Sequence, residues 1–107
     1  MKKIAVVMVS FLLFSCKKTH AVDTAIPCDP AISYSGKVKN IFITHCASSG
    51  CHDGTNSSYL GDYTVARDAS GQIKNSVSRG IMPPANNLSL ADKSAIICWI
   101  DSGTKNN

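Results

Sequence analysis

Beyond its first twenty residues the chain has no excess of either charge, no apolar run of bilayer length, and no second Cys or His pair to complete a tetrahedral metal site. Each absence narrows the function. The whole sequence holds 11 Lys and Arg against 7 Asp and Glu; setting aside Lys2, Lys3, Lys17 and Lys18 leaves 7 against 7 from Ala21 onward. A neutral domain offers no basic face for nucleic acid. The apolar run Ile4 to Phe14, interrupted only by Ser10, is too short for a stable spanning helix. The missing half-site argues against structural zinc, and without a C-x-x-C the thioredoxin-type dithiol lacks its motif. What remains after the N-terminal segment is one small domain. A chain that short has a limited core and often leans on a cross-link or a cofactor.

What is present starts with a secretory pattern. Lys2 and Lys3 precede the apolar run, and Leu13-Phe14-Ser15-Cys16 closes it. This reads as a signal peptide over 1–15, ending in a sequence similar to the lipobox of bacterial lipoproteins, with Cys16 acylated as the lipid anchor. An ordinary cleavage signal with a chance Cys is the rival. The reading places the protein in the periplasm, membrane-anchored, with the outer membrane favoured because Lys17 follows Cys16. Residues 16–32 form anchor and linker, polar and aperiodic, with Pro27 and Pro30 near the domain edge.

The chemistry concentrates in Cys46 to His52, C-A-S-S-G-C-H. Two thiols followed at once by an imidazole is the arrangement that attaches c-type haem, each Cys adding to one vinyl group and the His binding iron. The usual spacing is C-x-x-C-H, whereas here four residues separate the thiols. Ala47, Ser48, Ser49 and Gly50 are small enough to bulge without moving either sulfur. Two rivals remain: a zinc site, made awkward by His52 adjoining Cys51, and a plain Cys46–Cys51 disulfide in an oxidising compartment.

Helical signals surround this run. Val38, Ile41, Phe42 and His45 fall at i, i+3, i+4 and i+7, with Ser35 as the expected N-cap. Asp62 is expected to cap a helix over Tyr63 to Ala69, Gly71 to break it, and Ile73 with Val77 to form another brief apolar face. Gly80-Ile81-Met82-Pro83-Pro84 makes a stiff loop, and its thioether is the candidate sixth ligand to iron, Met82 opposite His52. Ser89 and Asp92 form a capping box for a final helix to Ser102, with Leu90, Ile96, Ile97, Trp99 and Ile100 apolar and Gly103 ending it.

Taken together, Phe42 four residues before Cys46, the Cys/Cys-His run, Met82-Pro83-Pro84 and W-I-x-x-G at Trp99, Ile100 and Gly103 resemble a small class I cytochrome c of the periplasmic lipoprotein kind. The chain departs from that pattern in its longer attachment loop and in Val38, where many members carry Gly. The resemblance implies an all-α domain over 33–107, class I cytochrome c-like, its N- and C-terminal helices crossing with Phe42 near Trp99. It also implies one haem c held covalently by Cys46 and Cys51, with His52 and Met82 as axial ligands. Such a protein would be a monomeric electron carrier rather than an enzyme, passing electrons between redox partner proteins. With Cys16 assigned to lipid and two Cys to haem, the implied fold brings the remaining pair, Cys28 and Cys98, together as a disulfide. The alternative is a disulfide-stapled structural or binding lipoprotein without haem.

Overall fold

Residues 27–55 and 57–107 are described by a computed structural model, so Cys16, the signal peptide and most of the linker lie outside the described residues. Among the described residues the fold is all-α: one π-helical turn, Tyr34–Val38, runs into α1 (Lys39–His45), followed by α2 (Tyr63–Asp68), α3 (Ser70–Ser78) and α4 (Leu90–Asp101). None of these helices is long and apolar enough to cross a membrane.

The stripe expected ahead of Cys46 does form a buried face, since Val38, Ile41 and Phe42 are all withdrawn from solvent. Its start differs from expectation. Ser33, not Ser35, caps the helical entry by accepting a hydrogen bond from the Gly36 amide at 3.0 Å. The Ser35 hydroxyl instead donates to the Asn107 carbonyl at 2.8 Å. Helix α2 starts as its cap requires, with the Asp62 carboxylate accepting from the amides of Thr64 and Val65. Gly71 does not break the chain. The break falls at Ala69 (φ −90°, ψ 3°), and Gly71 lies in the first turn of α3. An added Cβ at Gly71 would meet nothing within 4 Å, so neither packing nor φ requires glycine there. Ile73 and Val77 then face the core. Ser89 caps α4 by accepting from the Asp92 amide at 3.0 Å, as the capping box predicts. Leu90, expected on the apolar face of α4, is 65% exposed.

The helices gather on one aromatic cluster. Trp99 and Phe42 are fully buried and meet edge-on, with centroids 6.1 Å apart, so the expected approach of the first and last helices is present. Tyr34 lies 5.3 Å from Trp99 and 5.2 Å from Tyr63 by ring centroid. Edge-to-face and tilted contacts of this kind add to the area term. Each polar end is satisfied. The Trp99 indole donates to the Lys105 carbonyl at 2.9 Å, Tyr34 Oη donates to the Gly61 carbonyl at 3.1 Å, and Tyr63 Oη donates to the Thr104 carbonyl at 2.8 Å. Burial foremost, then the nearby Asp62 and Tyr59, pushes the Tyr34 phenol from 10.0 up to about 12.

The tail after α4 straps this cluster. Gly103 takes φ +101° and turns the chain, so that the Ser35 amide can donate to the Asn107 carbonyl at 2.8 Å and the Tyr34 amide to Asn107 Oδ1 at 3.1 Å. On the other flank Lys37 pairs with Asp92 at 3.1 Å. Cys28 and Cys98 are joined, as expected, with Cα atoms 5.4 Å apart and a sequence separation of 70. The bond ties the start of the domain to the last turn of α4.

Candidate functional site: an apolar cleft beside the Cys46–His52 loop

Helix α1 ends at His45, where Cys46 stretches to φ −118° at the C-cap while its amide still donates to the Phe42 carbonyl at 2.9 Å. The next six residues close a loop. The Cys51 amide donates to the Ser48 carbonyl and the His52 amide to the Cys46 carbonyl, both at 2.9 Å. Gly50, at φ +81°, makes the reversal a side-chain-bearing residue would resist. Asp53 locks the far side, accepting from the Gly50 amide at 3.0 Å and from the Thr55 amide at 2.9 Å. The Ser57 hydroxyl donates to the Cys51 carbonyl at 2.8 Å.

A second loop faces it. Gly80 ends α3 at φ +68°, and the amides of Ile81 and Met82 both donate back to the Ser76 carbonyl, at 2.9 and 3.3 Å. The Asn86 amide closes the loop on the Pro83 carbonyl at 2.8 Å. Pro83 is buried, and Met82 is 40% exposed.

Between the loops lies an open cleft of about 900 Å³. Leu60, Val65, Ala69, Ile73 and Val77 line it; His52, Cys46 and Cys51 border it on one side, and Met82, Pro83 and Pro84 on the other. The structure therefore brings Cys46, Cys51, His52 and Met82 to one cleft, while the Cys28–Cys98 bond lies apart from it. The volume is in the range of small-molecule sites. Ile73 and Val77 were legible as an apolar face, but nothing in the sequence marked Leu60 or Val65 as lining. Asp53, the loop's organiser, belongs to an Asp-Gly turn signal that could have identified it.

The two thiols differ. Cys46 is half-buried against the core and Cys51 is exposed. Burial foremost, together with the neighbouring Cys51, pushes the Cys46 thiol from 9.0 up to about 11, which keeps it protonated at neutral pH.

The haem c expected from the Cys46–His52 run is corrected here. Among the described residues no three His, Cys, Asp or Glu side chains group so as to hold a metal ion. The bond the described cysteines make is Cys28–Cys98, and Cys46 and Cys51 stand as free thiols. The axial roles expected of His52 and Met82 are not carried forward with it. Both residues remain as cleft lining. No protein family, curated protein or solved structure matches the chain.

Proposed function

We propose that the chain is an exported, disulfide-stapled binding protein whose cleft takes one largely apolar organic molecule. The observation that carries this reading is the cleft itself, about 900 Å³, floored by Leu60, Val65, Ile73 and Val77. A largely apolar molecule seated against this lining would itself be withdrawn from water, a gain of roughly 25 cal/mol per Å² of apolar surface covered. His52, Ser76 and Gln72 at its border supply the few polar groups that orient a ligand in such sites.

Electron transfer, the role implied by the resemblance, fits within this proposal when the bound molecule is conjugated and redox-active. The exposure of Met82 at the cleft border supports it: this residue is 40% exposed, so a molecule seated there would keep an edge near the surface, within reach of a partner protein. The signal pattern in the first fifteen residues supports export, and acylation at Cys16 would hold the domain to a membrane.

The test is to produce the full chain, signal included, in an exporting bacterial host and to compare native mass with denatured mass. The account expects an organic molecule that stays through native mass analysis and is freed by denaturation, or uptake of an environment-sensitive apolar dye by the emptied protein. Val77→Trp, which fills the floor, should abolish either signal while the helical circular dichroism stays. Absence of any bound molecule, together with dye uptake unchanged by Val77→Trp, would sink the binding reading.

A further inference from the structure

We propose that Cys46 and Cys51 form a thiol–disulfide couple in the cleft wall, so that their loop exists both as an open dithiol and as a closed ring. They are the free cysteines of the described residues, and they share one loop and one cleft. The backbone has already folded the loop back on itself: the His52 amide donates to the Cys46 carbonyl at 2.9 Å, so the residue next to Cys51 touches Cys46. Nothing bulky intervenes, since the connecting residues are Ala47, Ser48, Ser49 and Gly50, and a Cβ built at Gly50 would meet nothing within 4 Å. The loop therefore offers no steric obstacle to the two sulfurs meeting at bonding distance.

Different exposure assigns the order of events. Cys51 is exposed and meets an exogenous disulfide first. Its thiolate attacks one sulfur, forming a mixed disulfide and releasing one thiol. The half-buried Cys46 then gives up its proton, attacks the Cys51 sulfur as thiolate and expels the second thiol, which carries a proton away. The two protons leave with the two released thiols. Two electrons pass to the exogenous disulfide, which is thereby reduced. The reverse steps reopen the ring. Cys28 and Cys98, already bonded to each other and absent from the cleft lining, take no part.

The couple does not depend on the cleft holding a ligand. Thiol counting reads the sulfurs, and ligand uptake reads the cleft, so either proposal can fail alone. The experiment uses the full exported chain in native buffer, equilibrated against graded mixtures of reduced and oxidised glutathione, then acid-quenched, alkylated under denaturing conditions and mapped by peptide mass. The expected result is a reversible transition in which the peptide bearing both residues loses two hydrogens and takes no alkyl group. In Cys46→Ser the ring cannot close, and Cys51 should instead accumulate as its glutathione adduct. Two alkylated cysteines at every oxidant ratio would overturn the couple. So would stable glutathione adducts on both sulfurs of the parent chain, or sulfurs blocked by an irreversible adduct.

Discussion

The two ends of this small domain are built on opposite plans. Around Trp99 of α4, side chains from the π-helical turn, α1 and α2 converge on one indole, and tail residues from Thr104 to Asn107 satisfy the polar ends of Trp99 and Tyr63 and the helix entry. At the cleft, two loops close on their own local hydrogen bonds and leave space between them. The aromatic end carries long-range contacts that substitute for the large core an 11.4 kDa chain cannot build. The floor of the cleft shares that duty, since Leu60, Ile73 and Val77 belong to the core. Its bordering loops do so less, and an exposed loop residue such as Met82 can be spent on recognition with small stability consequences when it changes.

The sharpest way to break this contrast is Trp99→Ala. It removes a fully buried ring with three aromatic neighbours and orphans the Lys105 carbonyl. A loss of about 3–5 kcal/mol is expected, and denaturant unfolding would measure it. A loss below about 1 kcal/mol would mean that the cluster is not what holds the domain.

Next comes the disulfide. Replacing Cys28 and Cys98 together by Ser should cost about 4 kcal/mol in the chain-entropy model, because the bond closes a separation of 70 residues. Since the bond lies at the packed end, cleft binding measured below the unfolding midpoint should be unchanged. A parallel loss of binding would join the two ends that the account separates.

Tyr34 gives a pH signature of the packed end. Its folded value is raised from 10.0 to about 12, by burial first, so the folded state holds the phenol proton that the unfolded chain gives up. Its contribution is intact below pH 10.0 and falls away as the pH rises toward about 12. Stability curves across that window should slope downward in the parent and less steeply in Tyr34→Phe. That substitution should also cost about 1 kcal/mol at neutral pH for the lost bond to Gly61. Equal slopes would remove Tyr34 as the cause.

The smallest effect is expected at the cleft. Met82→Ala, at a residue 40% exposed, should change stability by less than about 1 kcal/mol yet weaken retention of the cleft molecule. Ser89→Ala, a helix cap that does not line the cleft, should cost about 1 kcal/mol with retention unaffected. If the two variants behave alike in both assays, Met82 is filler rather than lining with a role.

The same contrast explains what could be read from the sequence. Periodicity and local caps were legible: the Val38–Ile41–Phe42 face, Asp62 and Ser89 at helix starts, and Ile73 with Val77. Those signals are carried by residues a few positions apart. The Cys28–Cys98 bond was reached through the implied helix crossing, which the Phe42–Trp99 contact realises. The tail strap was not legible, because Lys105 and Asn107 act through backbone and amide atoms on partners up to 73 residues away. Ser33 was missed for Ser35 because both are good caps by type, and only the distant Asn107 decides which hydroxyl is free to cap. At the cleft, C-A-S-S-G-C-H supplies one border of the pocket. The chemistry read from it, covalent haem, is what the grouping of side chains and the cysteine pairing do not support.

The most direct test of the central claim, a cleft bordered by thiols that carry no prosthetic group, is the intact mass of the mature protein after denaturation without reductant, taken from a host able to export it. The account predicts the polypeptide with its N-terminal processing, one disulfide at Cys28–Cys98, and Cys46 and Cys51 either free or joined to each other. A prosthetic group that stays attached through denaturation, and is lost on changing Cys46 and Cys51 to Ala, would contradict it.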